Sequence, residues 1–396
     1  MRDGPFLTCT GGLPQLSALL MPRLHHRLLH VARRLPGAPR IRRLIRTARQ
    51  VPEAVRLVTD PEASQTFYPE APRKEKREML ADHLRYLLRH GEVDTRYFMY
   101  GLDREGVKQD AVVEYPEFRR IRDRGHAARS LTRLSYACVL EDKYLFGQVA
   151  ASFGVPSPRN LAVVDRGMVE WIEERERQPL ESLLMRDLDG FCKPFNGISS
   201  RGAFALRVED GAVSIDGTPS TQDDLRLRLN ERYLVQERVF QHPSLDEIYP
   251  LSINTLRVHT VLEGDGARVF STILRMGRAG RRFDGLGAGG VGVSVGVESG
   301  RLSSSGLVRT GGDTGWHDRH PDTGVKFDGV TLPHYEEAKA LCCRLSELLP
   351  FFHTVGWDVA ITPDGPLIIE GNDNWGATAG MSIEPDFRDR FLSLYH

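Results

Sequence analysis

Few local structures fit the stretch Gly356–Gly376, which reads Gly-Trp-Asp-Val-Ala-Ile-Thr-Pro-Asp-Gly-Pro-Leu-Ile-Ile-Glu-Gly-Asn-Asp-Asn-Trp-Gly. Two apolar runs rich in β-branched residues flank Pro363-Asp364-Gly365. That is a hairpin signal, because Pro presets φ and Gly tolerates positive φ. With a loop at 362–366, Asp358 lies opposite Glu370 and both side chains leave one face of the sheet. Asn372 continues that face by the period of two. A loop one residue shorter breaks the alignment, and Pro366, which cannot donate to a ladder, favours the longer one. Two carboxylates and an amide oxygen on one surface suit Mg²⁺, which takes few protein oxygens and completes its shell with phosphates and water. An ordinary hairpin with solvated charges has the same letters. The difference is that Glu370 closes an apolar run, and a carboxylate buried there needs a partner or a metal.

The chain is 396 residues long, enough for two or three domains, and its formal net charge is zero. Global charge therefore gives no reason to expect a nucleic-acid partner. No apolar run reaches the roughly 18 residues of a membrane span. The five cysteines, Cys9, Cys138, Cys192, Cys342 and Cys343, lack metal or redox spacing and read as reduced thiols of a cytoplasmic protein.

Residues 1–50 are rich in Arg, contain no Lys and hold one acid, Asp3. A basic amphipathic helix fits from Pro22 to Leu35, with Leu24, Leu28, Val31 and Leu35 against Arg23, Arg27, Arg33 and Arg34. Pro36 and Pro39 end it, and Ile41–Ala48 repeats the style with Arg42, Arg43 and Arg46. A peripheral membrane or anionic-partner contact through 22–49 is one expectation, and a solvated helical extension is the plainer one.

Four regions follow: an Arg-rich helical segment at 1–60, a helical or mixed region at 61–139, a small lobe at 140–239 and a C-terminal lobe at 240–396. Arg73–His90 reads as a helix with Leu80, Leu84, Leu87 and Leu88 on one side and Gly91 ending it. His83 and His90 have no second ligand at metal spacing and read as packing or surface residues. Tyr97–Leu102 and Glu114–Phe118 read as connecting structure. Asp142 is an N-cap candidate for a helix burying Leu145, Val149 and Phe153, with Lys143 in its first turn.

In the small lobe, strands fit Leu161–Val164, Gly190–Phe195 and Tyr233–Val239, with helices at Met168–Arg177 and near Asp223–Leu229. A hairpin pairs Ala203–Val208 with Ala212–Ile215. The loop after Lys193 carries Gly197, Ser199, Ser200 and Gly202, whose backbone N–H groups and hydroxyls suit phosphates. Such loops are also commonly plain turns. In the last lobe, Thr255–Leu262, Val269–Arg275 and Gly289–Val297 read as strands, and Arg257 and Arg275 stand in otherwise apolar runs. Gly306–Phe327 reads as a polar lid or substrate loop. A helix runs from Pro333 to Leu349, with Ala338, Leu341, Cys342, Leu345 and Leu349 toward a core.

The order of these parts resembles the ATP-grasp superfamily: Lys143 after Asp142, Lys193-Pro194 before a Gly/Ser loop, Gln236-Glu237 at a strand end, Glu370-x-Asn372. The wording is closer still to the sugar-transfer associated ATP-grasp family. The residues that carry this are Ser252-Ile-Asn-Thr-Leu-Arg257, Leu274-Arg-Met-Gly277, Gly289-Gly290, His320-Pro-Asp-Thr-Gly324 and Gly356-Trp-Asp358. The match runs from about Leu140 to Trp375. The resemblance implies an α/β (α+β) fold in which two lobes sandwich ATP, behind a helical N-terminal extension.

It further implies that Lys143 and Lys193 hold the ATP phosphates beneath the 197–202 loop. Gln236, Glu237 and Val239 would meet adenine, the last two through backbone groups. Asn254 would neighbour ribose or phosphate, with Asp246 or Glu247 as substitutes. Arg257 and Arg275 would face the transferred phosphoryl group and the acyl substrate. Asp358, Glu370 and Asn372 would hold two Mg²⁺, with Mn²⁺ able to stand in. Relatives often have Asp-Asn where this chain has Asp284-Gly285. The implied activity is a carboxylate–amine ligase working through an acyl phosphate, in sugar or surface-polysaccharide modification. A small-molecule phosphotransferase and a non-catalytic ATP-binding protein are the alternatives.

Overall fold

The turn of the C-terminal hairpin is tighter than expected, and a bulge repairs the consequence. In the computed structural model, which describes residues 38–129, 135–195, 202–264, 266–310 and 313–395, Thr362 pairs with Gly365 around Pro363-Asp364. Ile361 pairs with Pro366 and Val359 with Ile368, a register that alone would part Asp358 from Glu370. Ile369 is then left over as a β-bulge, and beyond it Asp358 faces Glu370 and Gly356 faces Asn372. Pro366 is tolerated because its strand lies at the edge of its sheet. Two residues on, the Ile368 N–H points outward to the Pro156 carbonyl at 2.9 Å. A proline with the same outward parity loses no ladder bond.

The chain divides into two compact units. One comprises the residues up to Gln65 with Pro72–Phe98, the other Thr66–Ala71 with Met99 onward. Within the first unit, helices span Ala38–Thr59 and Lys76–His90. Gly91 closes the second helix in the left-handed region, its N–H on the Leu87 carbonyl. The buried face is Met79, Asp82, His83, Tyr86 and Leu87, whereas Leu88 is exposed. His83 is a packing residue, as read: it lies 4.5 Å from the Tyr97 ring, and burial pushes its pKa down to about 4. The expected helix at 22–35, most of the Arg-rich segment, Cys9, Gly197, Ser199 and Ser200 lie outside the described residues.

The second unit holds two antiparallel sheets. In the first sheet are β1 (Asn160–Asp165), β2 (Met168–Trp171), β3 (Glu176–Pro179), β4 (Leu188–Pro194), β5 (Phe204–Glu209), β6 (Ala212–Ile215), β7 (Thr218–Ser220) and β8 (Tyr233–Glu237). Their order is β3-β2-β1-β8-β4-β5-β6-β7. The expected helix at Met168–Arg177 is instead a pair of strands. Arg166-Gly167, both at positive φ, turn β1 into β2. Val169 and Trp171 are buried while Glu170 is exposed, which is a period of two. Asp210-Gly211 and Asp216-Gly217 repeat that device at the next two turns.

The second sheet comprises β9 (Thr255–Glu263), β10 (Gly266–Met276), β11 (Val291–Val295), β12 (Leu302–Val308), β13 (Gly315–His317), β14 (Thr354–Thr362) and β15 (Gly365–Asn372). Its order is β13-β12-β11-β10-β9-β14-β15. The stretch 306–327, expected to be a lid, contains the end of β12, all of β13 and two wholly buried side chains, His320 and Phe327. It is anchored structure. Glu114 precedes a real helix, Tyr115–Arg129, which buries only Phe118 and Arg122 and so shows little apolar period.

Alternation gives the second sheet two different faces. Leu256, Val258, Leu274, Met276, Val355, Trp357 and Val359 form one core with the helix Tyr335–Leu348, through its Ala338, Cys342 and Leu345. The opposite parity on the same strands carries Thr255, Arg257, Arg275 and Asp358, and the bulge at Ile369 brings Glu370 of β15 to that face. Gly371 lets the two strands of the hairpin close over the wholly buried Trp357: a Cβ there would lie 2.5 Å from Cζ3 of the indole and 2.9 Å from Leu140 Cδ2. Gly371→Ala should therefore cost about 1–3 kcal/mol of stability by overpacking, measured as a lower urea midpoint. An unchanged midpoint would show that the hairpin is looser than this contact requires.

Candidate functional site

The site crosses three neighbouring strands. Register places Arg257 of β9 opposite Asp358 of β14, and Asp358 opposite Glu370 of β15. Cross-strand partners share a face, so a guanidinium and two carboxylates stand in one row. Arg257 donates from Nε to Asp358 Oδ1 at 2.5 Å and from Nη2 to Oδ2 at 3.2 Å. Arg275, on β10, brings Nη2 to 3.0 Å from the same Asp358 Oδ2. That nitrogen also lies 3.0 Å from Asp284 Oδ2 and 2.7 Å from Thr255 Oγ1. The Thr255 hydroxyl donates to Asp284 in turn.

The two carboxylates respond to this setting in opposite ways. Asp358 is 3 % exposed; burial would raise its pKa, but Arg257 and Arg275 outweigh burial and hold it well below the usual carboxylate range. Glu370 is raised by its enclosure, by the charge of Asp358 and by their mutual hydrogen bond, against the partial opposition of Lys193 and Lys143. Glu370 thus stands beside a like charge whose repulsion a bound cation could offset. Asn372 donates from Nδ2 to the Gly356 carbonyl at 3.2 Å, which leaves its amide oxygen as a third donor. Among the described residues no cluster of three or more His, Cys, Asp or Glu could hold a metal ion. Two carboxylates and one amide oxygen do fit Mg²⁺ arriving with phosphate oxygens of its own.

Lys193, from the first sheet, and Lys143, from a helix, both act on Glu370 through their charge. Lys193 sits on β4 and is 7 % exposed. Burial pushes its pKa down to about 8, Glu370 pulls it back and Lys143 adds to the depression. Lys143 opens the helix Lys143–Ser152, whose N-cap Asp142 accepts from the Leu145 N–H at 2.9 Å, as expected. The helix is turned from the expected stripe: Phe146, Gly147 and Ala150 are buried, and Leu145 is exposed.

Other expected contacts fall differently. The Gln236 amide donates to Asn160 Oδ1 at 2.7 Å. The Glu237 carboxylate takes the Arg159 N–H and guanidinium, and its own N–H goes to the Arg159 carbonyl. One backbone group expected at adenine is therefore already used, and Val239 lies just beyond the strand, half-buried. Gly202 stands at φ +79, its carbonyl on the Tyr233 hydroxyl at 3.0 Å. Asn254 is a correction. It is wholly buried, donates to the Leu245 and Tyr249 carbonyls at 2.8 and 2.9 Å and accepts from Ser252 at 3.0 Å. Its polar atoms are spent on pinning the chain before β9. The substitutes Asp246 and Glu247 are exposed.

Thr255 and Asp284 were missed. Parity alone could have found Thr255, two residues before Arg257 on the same face. No spacing rule brings Asp284 to Arg275, because an irregular loop separates them.

Comparison with known proteins gives the family of the chain. No curated protein matches the chain. Among solved structures, the N5-carboxyaminoimidazole ribonucleotide synthetase from Thermotoga maritima is similar at 12 % identity and TM-score 0.35, covering 65 % of this chain and 49 % of its own. The D-alanine–D-alanine ligase from Bacillus anthracis aligns at 10 % identity and TM-score 0.34, covering 65 % and 67 %. The VanG D-Ala:D-Ser ligase from Enterococcus faecalis aligns at 12 % and 0.36, covering 65 % and 62 %. The chain spans about half the length of the first of these. The model of sugar-transfer associated ATP-grasp proteins matches residues 128–391, a span that holds both sheets, both lysines and the hairpin carboxylates, and the chain belongs to that family.

Proposed function

We propose that the protein is an ATP-dependent carboxylate–amine ligase that activates its acid as an acyl phosphate, in sugar or surface-polysaccharide modification. The observation that carries the reading is the convergence of Arg257 and Arg275 on Asp358 beside Glu370. A substrate carboxylate attacking a γ-phosphate is anion meeting anion, so the site must neutralise both. When bound, Mg²⁺ on Asp358, Glu370 and Asn372 would offset charge on the β- and γ-oxygens. Lys143 and Lys193 would hold the same phosphates. Arg275 and Arg257 suit the transferring phosphoryl group and then the acyl phosphate, since planar guanidinium forks match its oxygens. An amine then displaces phosphate.

A covalent enzyme intermediate is not needed. Ser271 lies between His259 and Glu384, but its hydroxyl donates to the carboxylate and is wholly buried, so the order is wrong for an activated serine. Among the described residues no helix is long and apolar enough to cross a membrane.

The test is ADP release with carboxylates crossed against amines. Release that needs both supports the ligase. A stable phosphorylated product formed without amine would make the protein a phosphotransferase. A second test uses Lys193, whose charged form is disfavoured by burial. Its folded pKa of about 8 lies below the ordinary 10.5, so its burial costs stability at neutral pH, and the cost is relieved as pH climbs from about 8 to 10.5. Lys193→Met should leave the free protein at least as stable at pH 7. It should weaken Mg-ATP binding by about 1.5–3 kcal/mol, one charge-assisted contact. Thermal shift with and without Mg-ATP reads both, and an undiminished nucleotide shift would remove Lys193 from the phosphates.

A further inference from the structure

Asp284 stands on a segment fastened far more firmly than a connecting loop requires. Between β10 and β11, the Gly277 carbonyl meets His320 Nε2 at 2.8 Å, and the Ala279 N–H donates to Asp322 at 2.5 Å. The Tyr249 hydroxyl donates to the Arg281 carbonyl at 2.9 Å. Arg278, itself buried, donates from Nε to the Gly289 carbonyl at 3.1 Å and from Nη2 to the Thr310 carbonyl at 3.2 Å. The Gly285 carbonyl takes the N–H groups of Ala288 and Gly290. Every one of these bonds fixes the backbone that carries the Asp284 carboxylate.

That carboxylate uses only one oxygen. Oδ2 receives Arg275 and Thr255, while Oδ1 has no hydrogen-bond partner among the described residues and the side chain is 13 % exposed. It therefore lies beside the guanidinium assigned to the acyl phosphate, with an acceptor to spare. The other two carboxylates of the site, Asp358 and Glu370, are occupied with each other and with the cations around them. A site that joins an acid to an amine needs a group that receives the amine as an ammonium and takes its proton.

Resting on the ligase reading, we propose that Asp284 forms the amine subsite and is the general base of the second half-reaction. The attacking nitrogen forms the C–N bond as the acyl C–O bond to phosphate breaks. One ammonium proton passes to Asp284 Oδ1 and on to solvent, a second leaves on phosphate as HPO₄²⁻, and the third stays on the amide. Thr255 and Arg275 hold the carboxylate in place, so the acceptor sits beside the leaving phosphate. The substrate class is a primary amine that is cationic at neutral pH.

Hydroxylamine separates base catalysis from scaffolding, because it is uncharged at neutral pH and traps acyl phosphates as hydroxamates with no base to deprotonate it. Asp284→Asn and Thr255→Val are compared with wild type, using a carboxylate that supports ADP release and either hydroxylamine or the best alkylammonium amine of the same screen. For Asp284→Asn the expected result is a loss of about 100-fold or more in amide formation with the alkylammonium amine, with hydroxamate formation within about threefold of wild type. Hydroxamate formation also reports that the variant is folded. Thr255→Val keeps the base and should lose less than Asp284→Asn with the alkylammonium amine. Equal losses with both nucleophiles, or no loss with either, would overturn the subsite and leave the ligase reading standing. Wild type releasing ADP with no dependence on acid and amine would overturn both.

Discussion

Glu370→Gln should abolish ATP consumption, by at least about 100-fold, in a protein that melts no lower than wild type. The two halves of that result have one cause. Enclosure and the neighbouring Asp358 raise the Glu370 pKa above the ordinary 4.5 of an unfolded chain. A group raised in this way contributes stability that is fully present below 4.5 and is lost as pH rises through the folded value. Above that folded value the free protein thus carries an unrelieved repulsion between two carboxylates, and glutamine, which mimics the protonated form, removes it. The same change removes half of the anionic donor set at Asp358, Glu370 and Asn372. Melting curves against pH should show the wild type losing stability above pH 4.5 relative to the variant, while ADP release vanishes. Turnover near the wild-type level would end the metal assignment. Parallel melting curves would instead show that Glu370 feels no repulsion.

Asp358→Asn should cost about 3–5 kcal/mol at pH 7, the usual penalty for stripping one partner from a buried ion pair. Here the orphaned partners are two, since Arg257 and Arg275 both lean on this carboxylate. The Asp358 pKa is held below its ordinary 3.8 by those arginines against burial. Its contribution is therefore present above 3.8 and lost as pH falls through the folded value, so the wild type should lose this component on acidification and the variant should lack it. Glu370, freed of its like-charged neighbour, becomes the counterion and its pKa should fall back. Urea unfolding at pH 7 reads the loss. A change below about 1 kcal/mol would mean that solvent or another anion already neutralises the arginines.

Taken together, the variants separate storage of charge from its use. The free site balances Arg257, Arg275, Lys143 and Lys193 against Asp358, Glu370 and Asp284, with Asp358 and Arg275 each shared between two partners of opposite charge. Removing a carboxylate that repels should stabilise, and removing one that binds arginine should destabilise. Both should impair handling of the nucleotide.

The letters of the chain were sufficient wherever a few consecutive residues decide the outcome. Pro363-Asp364-Gly365 makes a turn because its φ angles leave little else. Most of the run expected from Pro333 to Leu349 is a helix, Tyr335–Leu348, because its apolar residues recur on one side, and Asp142 caps because its side chain reaches the Leu145 N–H. The family resemblance was legible for the same reason, as the motifs are short and local. Asp358 and Glu370 were correctly put on one face, although for an incomplete reason. The turn is one residue shorter than supposed, and the extra residue at Ile369 returns the register. A bulge has no letter of its own; the pairing of β14 with both neighbours settles it.

What only the tertiary structure decided were contacts among residues that share no segment. Asn254, next to Thr255 in sequence, points away from the site and holds a loop. Thr255 points into it. Asp284 reaches Arg275 because Tyr249, His320, Asp322 and Arg278 fasten the backbone between them, and the anchors outside that segment come from two distant places in the chain. Short-range periodicity fixes which face a side chain takes. Where two faces meet is fixed by packing summed over whole sheets, and that sum is not written in any one stretch of residues.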